Sequence, residues 1–564
     1  MADEQRELIK SIAKKTDEHE FYTPIPTGYS FGKTKYVIVT GTVMSGLGKG
    51  IFSSSLGRLL KENGLLVTAM KFDGYLNVDA GTLNPYRHGE VFVLDDGTEC
   101  DMDLGTYERF LDEDLSKENY LTAGKLFSQI LQKEREGKYL GRDVMFIPHV
   151  TGEIKGFVRN LALKSKADVV LIEVGGTVGD IENAYFIEAM RELAYEEGQG
   201  NCCFVTLTYI MKPSSLGEHK SKAAQLGIRA LMSTGIQPHL VICRSSEEIP
   251  DKIREKISIF SNVPVQRVIG LHDQKSIYGI PSLLKESNVH KEIAQILNVK
   301  LQEEKTAWRE WNGFFEKELN AKKKITVAMT GKYTGLRDSY ASIINAIEHA
   351  AAVNNAKAEI KWIDTTGITK ENVSEHLLGV DGIIVPGGFG ARGTEGKIEC
   401  IRYSRENNLP YLGLCYGFQM AVIEFSRNVL KLKDANTTEI EPDTPHKVID
   451  LLEEQRKKWG LGGNMRLGGC DVLIKKDTQA HRLYGSLKAR ERFRHRFECN
   501  PEYVPKLEEK GLVFSGKSST EDIMQILELP AHKFFMGTQY HPEFTSRPTR
   551  PNPMYKGFVE ACLK

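Results

Sequence analysis

At 564 residues the chain is too long for one ordinary core, so at least two domains are expected. Its 75 acidic and 75 basic residues cancel, which argues against nucleic acid or an anionic membrane as partner and makes any phosphate site a local one. Nine scattered cysteines without a CxxC pair speak against a disulfide framework or structural zinc and fit a reducing cytoplasm; the polar start and the lack of a long apolar run leave no signal peptide or membrane span expected.

Residues 1–34 read as a short charged helix and the linker TPIPTGYSFGK, to which no chemistry is assigned. The stretch Tyr36 to Gly57, YVIVTGTVMSGLGKGIFSSSLG, then has the order of a phosphate cradle: a β-branched run, a turn with Gly41, Gly46 and Gly48, and a helix entered through Lys49. Glycines let backbone N–H groups converge on an anion, the helix N-terminus adds partial positive charge, and Lys49 supplies a full one. Gly50 follows that lysine where a P-loop usually carries Ser or Thr, so a magnesium-binding hydroxyl comes from elsewhere or is absent. SSLGRLLKENG and the apolar LLVTAMKFDGY complete a βαβ step, which implies a parallel sheet with Lys71 and Asp73 at its ligand-binding edge.

An acidic stretch containing Asp103 follows, and DVVLIEVGGTVGDIE runs apolar to Glu173 before breaking into glycines. A carboxylate at the end of a buried strand is costly unless paired, so Glu173, with Asp103, is a candidate metal ligand. Beyond the strand CCFVTLTYIM, Lys220 and Lys222 stand two apart, a spacing open to both a triphosphate clamp and solvated lysines. This first domain is taken as 35–300. Residues 301–322 are expected to form a linker helix whose stripe of Trp308, Trp311, Phe314 and Phe315 packs on a domain. Residues 323–564 alternate apolar strands and helices again, a second parallel sheet.

In that second domain GLCYGFQ sets Cys415 on a strand-to-helix turn, where the helix N-terminus favours a thiolate. QYHPEF places His541 and Glu543 two residues apart, on one face of an expected strand, as a base and its orienting carboxylate. PGGFG offers the Gly388 N–H for an oxyanion hole, with that of Tyr416 as its partner. The three elements in this order point to acyl transfer.

Cys415, His541 and Glu543 resemble the triad of a class I glutamine amidotransferase. With VTGTVMSGLGKGI, MKFDGYLNVDAGT, HGEVFVLDDG, DLGTYERF, IPHVTGEI, EVGGTVGDIE, VPGGFGARG and QYHPEFTSRP in order, the chain from about Tyr36 onward resembles the CTP synthase family. The resemblance implies an α/β architecture of two parallel-sheet domains, a P-loop synthetase followed by a class I glutamine amidotransferase. It implies ATP-dependent amination of UTP through a 4-phosphorylated intermediate, with ammonia from glutamine passing a route that includes the position of His88. ATP would be bound by Gly46, Leu47, Gly48, Lys49, Gly50, Ile51, Asp103, His272, Asp273 and Gln274, with Lys71 assisting phosphoryl transfer and Asp103 and Glu173 holding Mg²⁺. UTP or the inhibitor CTP would meet Ser45, Asp180, Ile181, Glu182, Lys220, Ser221, Lys222, Ala223, Ala224, Gln225 and Lys256. Glutamine would meet Gly388, Leu414, Tyr416, Gln419, Glu439 and Arg496, and the activator GTP would meet Phe389 and Arg392. A cytoplasmic homotetramer that can form filaments is the implied assembly. Two stretches depart from the family pattern, KSKAAQ with Ala223 and Ala224, and KFDGY with Gly74, and a looser pyrimidine site is expected from them. Rival readings are another glutamine-dependent P-loop amidoligase, such as one amidating corrin carboxylates, and a filament-forming or regulatory homologue with reduced catalysis.

Overall fold

The computed structural model describes residues 22–215, 217–302, 306–331, 337–452 and 465–564, together with Glu7. The chain packs as two units, Met1–Thr82 with Thr106–Arg309, and Leu83–Gly105 with Glu310–Lys564. Sequence order had put residues 83–105 in the first domain; by packing they go with the second.

In the first unit seven strands form one sheet, in the order Tyr120–Thr122, Val67–Asp73, Val169–Val174, Lys35–Gly41, Cys202–Tyr209, Leu240–Ser245 and Val268–His272. Every neighbouring pair is parallel. Val67–Asp73 and Val169–Val174 are buried along their whole length, as strands covered by helices on both faces must be. Phe72 stacks on Phe186 of the helix Ala184–Glu197 at 4.7 Å, and each such fully buried side chain contributes about 1.5–3 kcal/mol. The chain runs first to one side of Lys35–Gly41 and from Cys202 to the other, so the ligand crevice belongs at that strand's carboxyl end.

The stretch after Tyr22, expected as a linker, is seated in this unit. Tyr22 Oη donates to Glu153 at 2.7 Å, and Tyr29 Oη and the Gly32 N–H donate to Glu197 at 2.8 and 3.0 Å. A Cβ at Gly152 would lie 2.5 Å from the Tyr22 carbonyl, so glycine there is what lets the segment cross the helix Thr151–Ser165. Arg159 of that helix is fully buried, reaches Glu196 at 2.7 Å and Glu197 at 3.0 Å, and lies against the rings of Tyr29 and Phe31. A buried guanidinium needs such partners, and their presence here is what orders a Pro- and Gly-rich sequence. The charged helix expected before it lies outside the described residues apart from Glu7, which is helical.

The aromatic helix spans Thr306–Asn320, and its stripe is divided. Trp308 lies under Lys285 at 4.9 Å in the first unit, whereas Phe314 meets His349 at 5.9 Å in the second.

The second unit is built on nine strands, in the order Ala356–Asp364, Lys323–Gly331, Gly382–Val385, Tyr411–Leu414, Phe535–Thr538, Met524–Glu528, Val513–Ser518, Arg466–Ile474 and Lys488–His495. The first five are mutually parallel, as expected; the last four, which the sequence reading did not place, join antiparallel. The parallel strands need helical crossovers, while Met524–Glu528 and its neighbours are linked by short connections that only antiparallel pairing tolerates. A small sheet of Ala435–Thr437, His446–Asp450 and Glu498–Cys499 lies beside it in the chain. The hairpin Val91–Val93 with Glu99–Asp101 is clasped by alternate arginines of Lys488–His495. Arg490 pairs with Asp95 at 2.7 Å, Arg492 donates to the Val93 carbonyl at 3.1 Å and covers the Phe92 ring, and Arg494 donates to Glu99 at 2.7 Å.

Candidate active sites

Cys415 ends the strand Tyr411–Leu414 and caps the helix Tyr416–Asn428, with φ 49° and ψ −95°. A non-glycine residue held there is strained, and such strain collects at functional turns. Gly413 and Gly417 make the turn possible, since a Cβ at either would come within 2.3 Å of the Tyr411 hydroxyl or 2.2 Å of the Val385 carbonyl. The Tyr416 N–H, first of the helix, is one of the donors a helix leaves unpaired at its start, and no hydrogen bond occupies it or the Gly388 N–H among the described residues.

His541 Nδ1–H donates to Glu543 Oε1 at 2.7 Å, and its ring stacks on Phe544. The two residues do not lie on a strand: Phe535–Thr538 has ended, and Pro542 opens a 3₁₀ turn, because a residue without an N–H cannot extend a ladder. The turn brings base and carboxylate together as the sequence spacing promised. Burial opposes the imidazolium most, but the charges of Glu543 and Cys415, with their hydrogen bonds, outweigh it and push His541 up to about 10. Gly387 lines the gap, where a Cβ would stand 2.9 Å from His541 Cε1 and 3.8 Å from Cys415 Cβ.

Three backbone carbonyls from one stretch hold this centre. Arg492 O accepts the His541 N–H at 2.8 Å, Arg494 O accepts the Cys415 thiol at 3.6 Å, and Phe497 O accepts Gln419 Nε2 at 2.8 Å. Gln539, which sequence reading passed over, donates to Cys415 Sγ at 3.6 Å and accepts from Gln419 at 3.3 Å. A buried glutamine closing an apolar strand was the available signal. Glu439 accepts the Gly390 N–H at 2.9 Å, Leu414 and Tyr416 are buried, Arg496 is half-buried, and Phe389 and Arg392 are exposed.

At the edge of the first unit's sheet, Gly46 and Gly48 take φ of 73° and 78°, which glycine alone adopts freely, and Gly48 caps the helix Lys49–Glu62. Lys49 Nζ donates to the Gly176 carbonyl at 2.6 Å, in the turn after Glu173. Lys71 and Glu173 stand opposite in register and pair at 2.9 Å, both buried, while Tyr107 donates to the other Glu173 oxygen and Asp73 lies 4.0 Å from Lys71. Tyr107 was missed; it sits four residues after Asp103 on the helix Met102–Leu111, one turn on the same face. Arg244, also missed, joins two expected nucleotide segments, donating to Leu47 O at 3.1 Å and to Asp273 at 2.8 Å. His272 closes its strand and its carbonyl accepts from Gln274.

Lys222 opens the helix Lys222–Ser233 and lies over the Phe260 ring at 5.7 Å, on the helix that carries Lys256. Lys220 pairs with Glu218, whose carboxylate is lowered by that hydrogen bond first and by Lys256 among others. Ser221, Ala224 and Gln225 are buried, Ala223 is half-buried, and Gln225 donates to Ser221 at 3.0 Å. Ser45, Asp180, Ile181 and Glu182 are exposed.

The description "CTP synthase N-terminus" matches residues 35–299, and "Glutamine amidotransferase class-I" matches 336–561. A CTP synthase of Thermococcus kodakarensis is 51% identical over 94% of this chain and 99% of its own length. The chain belongs to the CTP synthase family. An Archaeoglobus fulgidus CTP synthase is 47% identical over 94% of this chain and 98% of its own length. Among solved structures, the glutaminase domain of Trypanosoma brucei CTPS with bound acivicin is 36% identical, with a TM-score of 0.40, covering 42% of this chain and 93% of that chain.

Against the family pattern, Gly74 is a packing requirement. A Cβ there would come 2.7 Å from the Glu182 carbonyl, so this departure lets the 180–183 turn close down on the strand end. Ala223 and Ala224 occupy the first turn of the helix Lys222–Ser233, where alanine is a good former.

Proposed function

We propose that the protein aminates UTP to CTP with ATP, using ammonia released from glutamine. The observation that carries this is one chain holding both a strained thiol with a buried His541–Glu543 couple across Gly387 and a glycine-rich loop beside a buried Lys71–Glu173 pair. Cys415 gives its proton to His541 as Sγ attacks the glutamine amide carbon, and the oxyanion that forms meets the N–H groups of Tyr416 and Gly388. His541, held as imidazolium, gives its proton to the departing amine, and water then hydrolyses the thioester to glutamate. Leu414, Gln419, Glu439 and Arg496 are the proposed glutamine contacts.

At the sheet edge, residues 46–51 with His272, Asp273 and Gln274 would hold ATP, and Ser45, Asp180, Ile181, Glu182 and the 220–225 stretch with Lys256 would hold UTP or CTP. The UTP 4-oxygen takes the γ-phosphoryl group and ADP leaves; ammonia then adds at ring carbon 4, and phosphate departs. Lys71, held beside Glu173 at 2.9 Å, would offset the charge that gathers on the transferring group. Glu173 and Asp103 offer the oxygen ligands Mg²⁺ prefers, and the ion, when bound, would neutralise phosphate charge. Phe389 and Arg392 would contact GTP as activator, and a cytoplasmic homotetramer, with filaments as a higher assembly, is the proposed setting.

The test is UTP-to-CTP conversion with ATP and Mg²⁺, comparing glutamine and ammonium chloride in wild type and Cys415→Ala. Wild type is expected to use both donors and the variant only ammonium. Glutamine hydrolysis without CTP from either donor would overturn UTP as the acceptor.

A further inference from the structure

His495 and Glu498 are an ionisable pair that the reaction does not use directly, yet both side chains are almost completely buried. His495 Nε2 meets Glu498 Oε1 at 2.7 Å; a carboxylate accepts, so this nitrogen carries the proton. Arg466, paired with His495 across the strands, donates to the same carboxylate oxygen at 3.1 Å and also reaches Glu521. Burying such groups is costly, and apolar residues of similar volume would fill the space at less expense in stability. Their place in the chain explains the arrangement. His495 is the last residue of the strand Lys488–His495 in the nine-stranded sheet, and Glu498 is the first of Glu498–Cys499 in the small sheet, paired there with Asp450. Between them lie only Arg496 and Phe497. The bond closes this two-residue crossing from one sheet to the other.

The crossing is flanked by carbonyls that hold the thiol centre. Arg494 O, one residue before His495, accepts from Cys415 Sγ, and Phe497 O, one residue before Glu498, accepts from Gln419 Nε2. Arg496 itself is one of the proposed glutamine contacts. Sheet pairing holds the backbone on either side of these two residues, and a side-chain bond across i and i+3 further restricts rotation between them.

We propose that His495 and Glu498, steadied by Arg466, are positioning residues that lock the Arg494–Phe497 crossing so that Cys415, Gln419 and Arg496 present one preformed seat for glutamine. This deepens the proposed glutaminase reading and rests on it.

The test uses the full chain with Glu498→Ala, His495→Ala and His495→Gln, the last keeping a donor near the Nε2 position. Three quantities are measured: the glutamine KM for CTP formation, the rate with ammonium chloride, and the rate at which the glutamine-shaped diazoketone 6-diazo-5-oxo-L-norleucine alkylates Cys415. The alanine variants are expected to raise the glutamine KM and slow alkylation by about tenfold, with the ammonium rate within about twofold and His495→Gln recovering most of the loss. A glutamine KM and alkylation rate within about twofold of wild type would overturn the proposal, as would glutamine- and ammonium-dependent rates falling together with no recovery in His495→Gln. Should Glu498→Ala not fold, the two His495 variants decide alone. If wild type makes no CTP from either donor yet is alkylated, UTP amination fails as the reading, and the alkylation arm still decides the positioning role.

Discussion

Replacing Glu543 with Gln removes one charge from a buried couple held at 2.7 Å while keeping its size. His541 then loses the partner that, with Cys415, outweighs burial and pushes it up to about 10. A charge-assisted hydrogen bond contributes about 1.5–3 kcal/mol, and breaking a buried pair costs about 3–5 kcal/mol. About 3 kcal/mol of transition-state stabilisation should therefore go, a rate loss of roughly a hundredfold. The assay is glutamine-dependent CTP formation normalised to the ammonium-dependent rate of the same preparation, which this change should leave alone. A loss under about tenfold in a folded variant would refute the role given to the couple. The shift also sets a pH signature. Because His541 is raised above its ordinary 6.5, its stabilising contribution is whole below about pH 6.5 and is lost as pH climbs through about 10. The thermal midpoint of wild type should decline across that window, and Glu543→Gln should flatten the decline.

Lys71→Met leaves Glu173 buried without its cation, and a stability loss of about 3–5 kcal/mol is expected in chemical denaturation. CTP formation should disappear with either nitrogen donor while Cys415 alkylation persists; retained synthesis would remove Lys71 from phosphoryl transfer. Of the arginines on the hairpin, Arg490 is half exposed and its Asp95 pair contributes about 0–1 kcal/mol, whereas Arg492 is fully buried and its truncation should cost about 2–4 kcal/mol. Equal denaturation midpoints for Arg490→Ala and Arg492→Ala would contradict that ranking. Gly74→Pro, which looks from the sequence like a change that tightens the loop, should instead push Glu182 aside and raise the UTP KM; an unchanged or lower KM in steady-state titration would count against the close approach.

Much of this molecule is readable from local chemistry. The loop ending in Lys49, the apolar strand closing on Glu173 and the Cys415 turn each follow from a few contiguous residues whose backbone needs are visible in the letters. What escaped reading depends on partners far away in sequence. Arg244 becomes meaningful only when its strand lies beside the loop carrying Leu47, and Gln539 only when Phe535–Thr538 lines up with the strand that ends at Cys415. The N-terminal stretch looked unstructured because its composition is that of a linker, and nothing local shows that Glu153, Glu197 and Arg159 are waiting for its tyrosines. His541 and Glu543 were correctly paired on the wrong element, since a spacing of two is shared by strands and by a tight turn after proline.

The hairpin Val91–Val93 with Glu99–Asp101 carries a cost in time. Asp95 and Arg490, and Glu99 and Arg494, are each 395 residues apart in the chain. At about 5–20 residues per second of synthesis, the hairpin waits roughly 20–80 s on the ribosome before its arginines exist. Throughout that interval Phe92, wholly buried in the finished unit, has no Phe544 or Arg492 to cover it. The hairpin's apolar face is therefore left for the last part of the chain to close.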